Sequence, residues 1–132
     1  MAYQLLPDLD AVLVAFLSGH AALVPLHEGR VGTRLAAGTD PAQRVTSLGG
    51  SPEWPWEDRQ DFQIESWGGD QGQAKTLART TEVCIYDLIG PVAGGHVRGL
   101  SVQLSQLWSP DDTTGRARYI TQISCTCYPE GS

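Results

Sequence analysis

The feature that most constrains this chain is a strand-like run that passes through one glycine turn into a long amphipathic helix. Between Asp61 and Gly90 the sequence reads DFQIESWGGD and then QAKTLARTTEVCIYDLI within QGQAKTLARTTEVCIYDLIG. Phe62, Ile64 and Ser66 alternate with Gln63, Glu65 and Trp67, the two-residue period of a strand. Beyond the turn, Ala74, Leu77, Ala78, Thr81, Ile85 and Leu88 recur at helical spacing, while Lys75, Arg79, Glu82 and Asp87 point elsewhere. One helix face is therefore apolar and small, suited to lying on a sheet. Asp70 reads as the helix N-cap. The turn WGGDQGQ offers no nucleophile for a strand-to-helix elbow and matches neither phosphate-loop glycine pattern, and Asp70 puts a negative charge where a phosphate would sit.

Around this unit the periodicities predict further elements. Residues 7–18 form a helix, with Pro7 and Asp8 at its start and Gly19 at its end. Leu9, Val12, Leu13, Phe16 and Leu17 make its apolar stripe, and Val14 and Ala15 widen the stripe enough to leave room for cover by a second subunit. Residues 30–35 and 44–48 read as two strands joined by AAGTDPAQ, a projecting hairpin arm over about 30–48. The Gly- and Pro-rich stretch over about 49–60 reads as an irregular loop. His96 to Trp108 and Arg118 to Tyr128 alternate as strands and pair antiparallel across SPDDTTG. The predicted fold is α+β, a mainly antiparallel sheet flanked by two helices, as a single domain over 1–132.

Charge and chemistry exclude several classes. A net charge of −6 with a pI near 4.8 lacks the basic face of a sequence-reading nucleic-acid domain, though an acidic wall lets DNA slide past without sticking. No apolar run approaches the length that crosses a bilayer, and the start lacks a signal peptide's basic region, so cytoplasmic synthesis is expected. His20, His27 and His96 show no metal-ligand spacing, and Cys84, Cys125 and Cys127 read as buried small residues. Glu57/Asp58 and Asp111/Asp112 sit in turn-like segments. No cofactor, metal or catalytic group is predicted, and the chain is not expected to be an enzyme. Trp54 and Trp56, between prolines, read either as folded back on the core or as anchors for a partner.

Three passages together carry a family resemblance: the opening LPDLDAVLVAFL, the central DFQIESWGGDQGQAKTLART and the late SPDDTTGRARYITQISCTCYP. The chain resembles the tail terminator, or tail completion, proteins of long-tailed bacteriophages, particularly the small ones from phages of actinobacteria. The resemblance implies a virion protein that is assembled in the host cytoplasm and sits at the head-proximal end of the tail. There it would form a hexameric ring on the tail tube, end tube growth and dock the head-side connector or stopper, with DNA passing through the lumen. Another neck component, such as a head-closure protein, is the nearest alternative, and a small ligand-binding module a more distant one. On this reading the arm and the Trp54/Trp56 loop make subunit or tube contacts, with Arg34, Arg44 and Arg59 among the interface residues. Arg116 and Arg118 pair with carboxylates of a neighbour, and Asp111 and Asp112 face the lumen or an axial partner.

Overall fold

The computed structural model describes residues 7–34, 40–53 and 57–129. Its order is α1 (Leu9–Gly19), α2 (Val24–His27), β1 (Val31–Gly32), β2 (Ala42–Glu53), β3 (Glu57–Gly68), α3 (Gln71–Cys84), a 3-10 turn (Ile85–Leu88), β4 (Gly90–Val92), β5 (Gly95–Trp108) and β6 (Ala117–Pro129). The strands form one sheet in the order β1-β2-β3-β6-β5-β4, antiparallel except for β1 against β2. This is the expected α+β class, with the short α2 and the 3-10 turn added to the two predicted helices.

Both long helices begin as their sequences dictate. Asp8 accepts from the Ala11 amide at 3.4 Å, and Asp70 accepts from the Gln73 amide at 2.7 Å, each satisfying an amide that has no partner within its helix. The Asp70 turn also needs glycine before it. A Cβ on Gly68 would lie 2.5 Å from the Ala74 amide nitrogen, so the helix can pack back onto β3 only where no side chain intervenes. Ala74, Leu77, Ala78, Thr81 and Cys84 of α3, then Ile85 and Leu88, all face the sheet. They meet Phe62 and Ile64 of β3 and the odd-numbered residues of β6, Tyr119 to Cys127, in the main core with Leu9, Leu13 and Leu17 of α1. Inside it, the Gln43 side-chain amide donates to the Thr81 hydroxyl at 2.8 Å and to Ser66 at 3.2 Å, holding β2 to the helix.

His27 has a structural role. It is fully buried, its Nε2 donates to the Leu17 carbonyl at 2.7 Å and its Nδ1 accepts from the Gly29 amide at 2.9 Å, which satisfies a carbonyl left open at the end of α1. All three cysteines are free and buried.

Two sequence expectations are corrected. Residues 30–48 do not form a hairpin, because Val31 and Gly32 pair parallel with Gln43 and Arg44 and the chain must cross over between them. Arg30 fastens that crossover by donating from Nε to the Pro41 carbonyl at 2.9 Å and from Nη2 to the Asp40 carbonyl at 3.1 Å. Nor are the described residues of 49–60 irregular: β2 and β3 pair antiparallel, in register out to Glu53 opposite Glu57, with residues 54–56 outside the described residues. The glycines that looked like breakers are the means of pairing. Gly49, at φ 85°, takes up a bulge after Ser47, and a Cβ on Gly50 would fall 1.8 Å from the Arg59 carbonyl oxygen. Pro52 is tolerated because β2 is an edge strand there and needs no outward amide.

Candidate assembly surface

Among the described residues every helix lies on one face of the sheet, so the pleat leaves a second, uncovered face. In register across it stand Arg59, Asp61, Gln63, Glu65 and Trp67 of β3 and Arg118, Ile120, Gln122, Ser124 and Thr126 of β6. Its middle is a field of neutral amides and hydroxyls, where Gln122 donates to Gln63 at 3.2 Å. Arg59, Asp61, Ser101, Gln103, Ser124 and Thr126 line a polar groove of about 410 Å³ at one end, where Arg59 lies 3.7 Å from Asp61.

The other end is a network of charges. Glu65 is 2% exposed, held by Arg44 Nη2 at 2.6 Å and Gln63 Nε2 at 3.2 Å, with Arg118 Nη1 at 3.8 Å. Arg116 and Arg118 lie over the ring of Trp67, with guanidinium carbons 4.3 and 5.0 Å from its centroid. Arg116 also forks onto Asp40, its Nε donating at 3.0 Å, and that bond pushes the guanidinium pKa further up. Arg118 donates from Nε to the Ser109 carbonyl at 2.7 Å. The loop between β5 and β6 closes on Asp111, whose carboxylate accepts from the Thr113 amide at 3.2 Å and the Thr114 hydroxyl at 2.6 Å. Those two bonds hold its pKa below the usual carboxylate range.

The sequence-predicted residues therefore fall into groups. Arg44, Arg116 and Arg118 converge on one cluster with carboxylate partners in their own chain, and Asp111 sits in the adjoining loop beside the exposed Asp112. Arg59 is at the opposite end of β3, and Arg34 is exposed just after β1. Trp54 and Trp56 lie outside the described residues. Asp40, Glu65 and Trp67 were not foreseen as the hub. A charged residue in the middle of a strand, two positions before a tryptophan on the same face, was the available signal.

A second region was also missed. The far end of β5 is only partly covered: on the helix side Val83 of α3 is 76% exposed and Trp108, resting against Tyr119 at 5.1 Å, is 41% exposed, while Leu107, opposite Ile120 on the other face, is 47% exposed. Between α3 and β5, Thr76, Arg79, Thr80, Glu82, Val83 and Gln106 line an open groove of about 520 Å³. Glu82 bridges it, accepting from Ser105 at 2.5 Å and Thr121 at 3.3 Å. Gln106, at φ 44°, sits in a left-handed bulge between Leu104 and Leu107 that re-aims the end of the strand.

Fold and surface together define a class: a domain with helices on one face of a mainly antiparallel sheet, a polar opposite face, and long strands β2 and β5 flanked by the short edge strands β1 and β4. No protein-family model matches the chain, and no curated protein matches it. Its fold is similar to that of a chain in a solved structure of the virion of the native gene transfer agent (GTA) particle, with a TM-score of 0.64 and 16% sequence identity over 91% of this chain and 94% of that one. The likeness extends over nearly the full length of both chains. Among the described residues no helix is long and apolar enough to cross a membrane.

Proposed function

We propose that this protein is a structural virion subunit that acts by binding, as a tail terminator. Six copies form a ring on the tail tube, stop its polymerisation and present a docking surface to the head-side connector. The observation that carries this reading is the near full-length fold match to a chain of the GTA virion, at a TM-score of 0.64. Two features of the chain support it. The hydrogen-bonding capacity of its buried charges is largely directed at its own loops, which suits a rigid building part rather than a reactive pocket. The face free of helices is rich in neutral Gln, Ser and Thr on a chain of net charge −6, a wall that holds no phosphate and lets DNA pass. In this assembly Arg34, Arg59 and Asp112 contact neighbours or the tube, as do Trp54 and Trp56, while Arg44, Arg116, Arg118 and Asp111 shape the surface from within.

Particles produced without the protein test the reading. Overlong tails identify a terminator; tails of normal length that fail to join heads assign the chain to another neck position; normal infectious particles overturn a virion role.

A further inference from the structure

The sheet has two unguarded edges that match each other. On one side β1 covers β2 only at Gln43 and Arg44, and on the other β4 covers β5 only at Gly95 to Val97. Among the described residues, the rest of each outer strand has no neighbour on its outer side. Free edges in isolated proteins are usually blunted with charges, proline or bulges; Val45 to Pro52 and Gly99 to Trp108 contain no Asp, Glu, Lys or Arg and are interrupted by bulges and Pro52 alone.

The registers place these open stretches at the same height. Ser51, Arg59, Thr126 and Gly99 form one row across the sheet, and Arg44, Glu65, Ile120 and Leu107 form another. Between the rows both outer strands are open, whereas β4 and β1 cap opposite ends. Direction agrees as well. From β2 to β5 four long strands alternate, so β2 and β5 run antiparallel to each other. A copy displaced sideways therefore brings its β2 against β5 antiparallel, without reversal and without a shift along the strands; β1 and β4 occupy the end rows, so the pairing is confined to residues 45–50 against residues 100–106 between them.

We infer that the open edge of β5 takes the open edge of β2 from a second copy of this chain, making one continuous antiparallel sheet through the subunit contact. This rests on the ring reading above and gives that ring its joint. The contact is head to tail. Such a contact makes a ring where the rotation between neighbours closes, which is what the ring reading requires of it. A self-pairing of β5 with β5 would also satisfy one edge, but it leaves β2 open and makes a two-fold dimer.

Disulfide trapping separates these arrangements. Thr46 lies in the row of Gln63, Gln122 and Leu104, so Thr46→Cys in one copy faces Gln103→Cys, in the bulge beside that row, in the next. Both positions are exposed. The native thiols are buried, and burial pushes Cys125 up to about 12 and Cys127 up to about 11, so mild oxidation at pH 8 selects the introduced pair. The double variant, oxidised both as purified protein and in particles, is expected to give a reductant-sensitive ladder that ends in a closed ring, while each single variant stays uncrosslinked. Dimerisation of Gln103→Cys alone, or particles that contain the double variant without any ladder, overturns the edge contact and leaves the virion role standing. A ladder from purified protein that is absent from particles supports the edge contact and removes the virion role. As a second arm, Thr46→Lys with Gln103→Lys is expected to keep the native melting temperature and lose at least tenfold in particle incorporation. Undiminished incorporation overturns the inference.

Discussion

Two neighbouring strands, β6 and the far half of β5, are written in nearly the same sequence code and have opposite fates. Both alternate cleanly. In β6 every odd residue from Ala117 to Pro129 is buried, because α3 and its 3-10 extension lie over that face. In β5 Leu100 and Val102 are only half-buried, and Trp108 is exposed, because α3 passes over β3 and β6 and reaches β5 only at its flank. Alternation thus specifies a strand; bulges can switch its faces, as between Val102 and Leu104, and alternation does not specify what covers them. A well-sealed strand contributes to the stability of the single chain, and a half-sealed one contributes less.

That contrast can be broken by substitution. Ile123 and Val102 stand opposite each other in one row, the first 1% exposed and the second half-buried. Ile123→Ala is expected to destabilise the monomer by about 2–5 kcal/mol in urea unfolding, from lost burial and a cavity in a core that cannot collapse around it, whereas Val102→Ala should cost roughly 1 kcal/mol. Equal costs would mean that β5 is as well covered as β6.

The glycines give the next test. Gly68→Ala drives a Cβ to within 2.5 Å of the Ala74 amide nitrogen, at the joint that holds α3 over β6, and should cost about 1–3 kcal/mol by the same measurement. Gly99→Ala, where nothing lies within 4 Å, should be close to neutral.

Alkaline pH separates the strands more gently. Burial raises the thiols of Cys125 and Cys127 above their ordinary value of 9.0, to about 12 and about 11. A raised folded-state pKa means that the unfolded chain releases these protons first, so their contribution is intact below pH 9 and lost as pH rises toward 11–12. Melting temperature should therefore fall on that limb, and fall less steeply in Cys125→Ala than in the parent. Parallel slopes would show that the β6 thiols do not control this limb.

The smallest expected effect on the monomer is at the exposed end of β5. Leu107→Ala should change monomer stability by no more than about 0.5 kcal/mol, as surface changes usually do. Assembly, followed by light scattering or particle incorporation, should weaken all the same if the edge is a subunit joint.

Much of this fold was legible because it is locally encoded. The apolar stripe of α3 and the odd positions of β6 follow from periods of 3.6 and 2, and Asp8 and Asp70 act within three residues of themselves. The candidate surface was legible only as residue types. Arg116 was marked for a carboxylate partner, but that partner is Asp40 of the same chain, 76 residues away, and Glu65 was not seen as the anchor between Arg44 and Arg118. Composition misled at 49–60, where glycine and proline mark a bulge and an edge rather than a loop, because the same backbone freedom serves both.

By itself the sequence determined the helices, the strands, their two faces and the lack of a basic, nucleic-acid-reading surface. These depend on interactions along one or two turns of chain and on summed charge. Tertiary structure alone decided that β1 runs parallel to β2, that Arg44 and Arg116 pair with carboxylates of their own chain, and that two uncharged strand stretches lie at the same height on opposite sides of the sheet. Those outcomes depend on which distant segments meet, and no period in the sequence records a meeting.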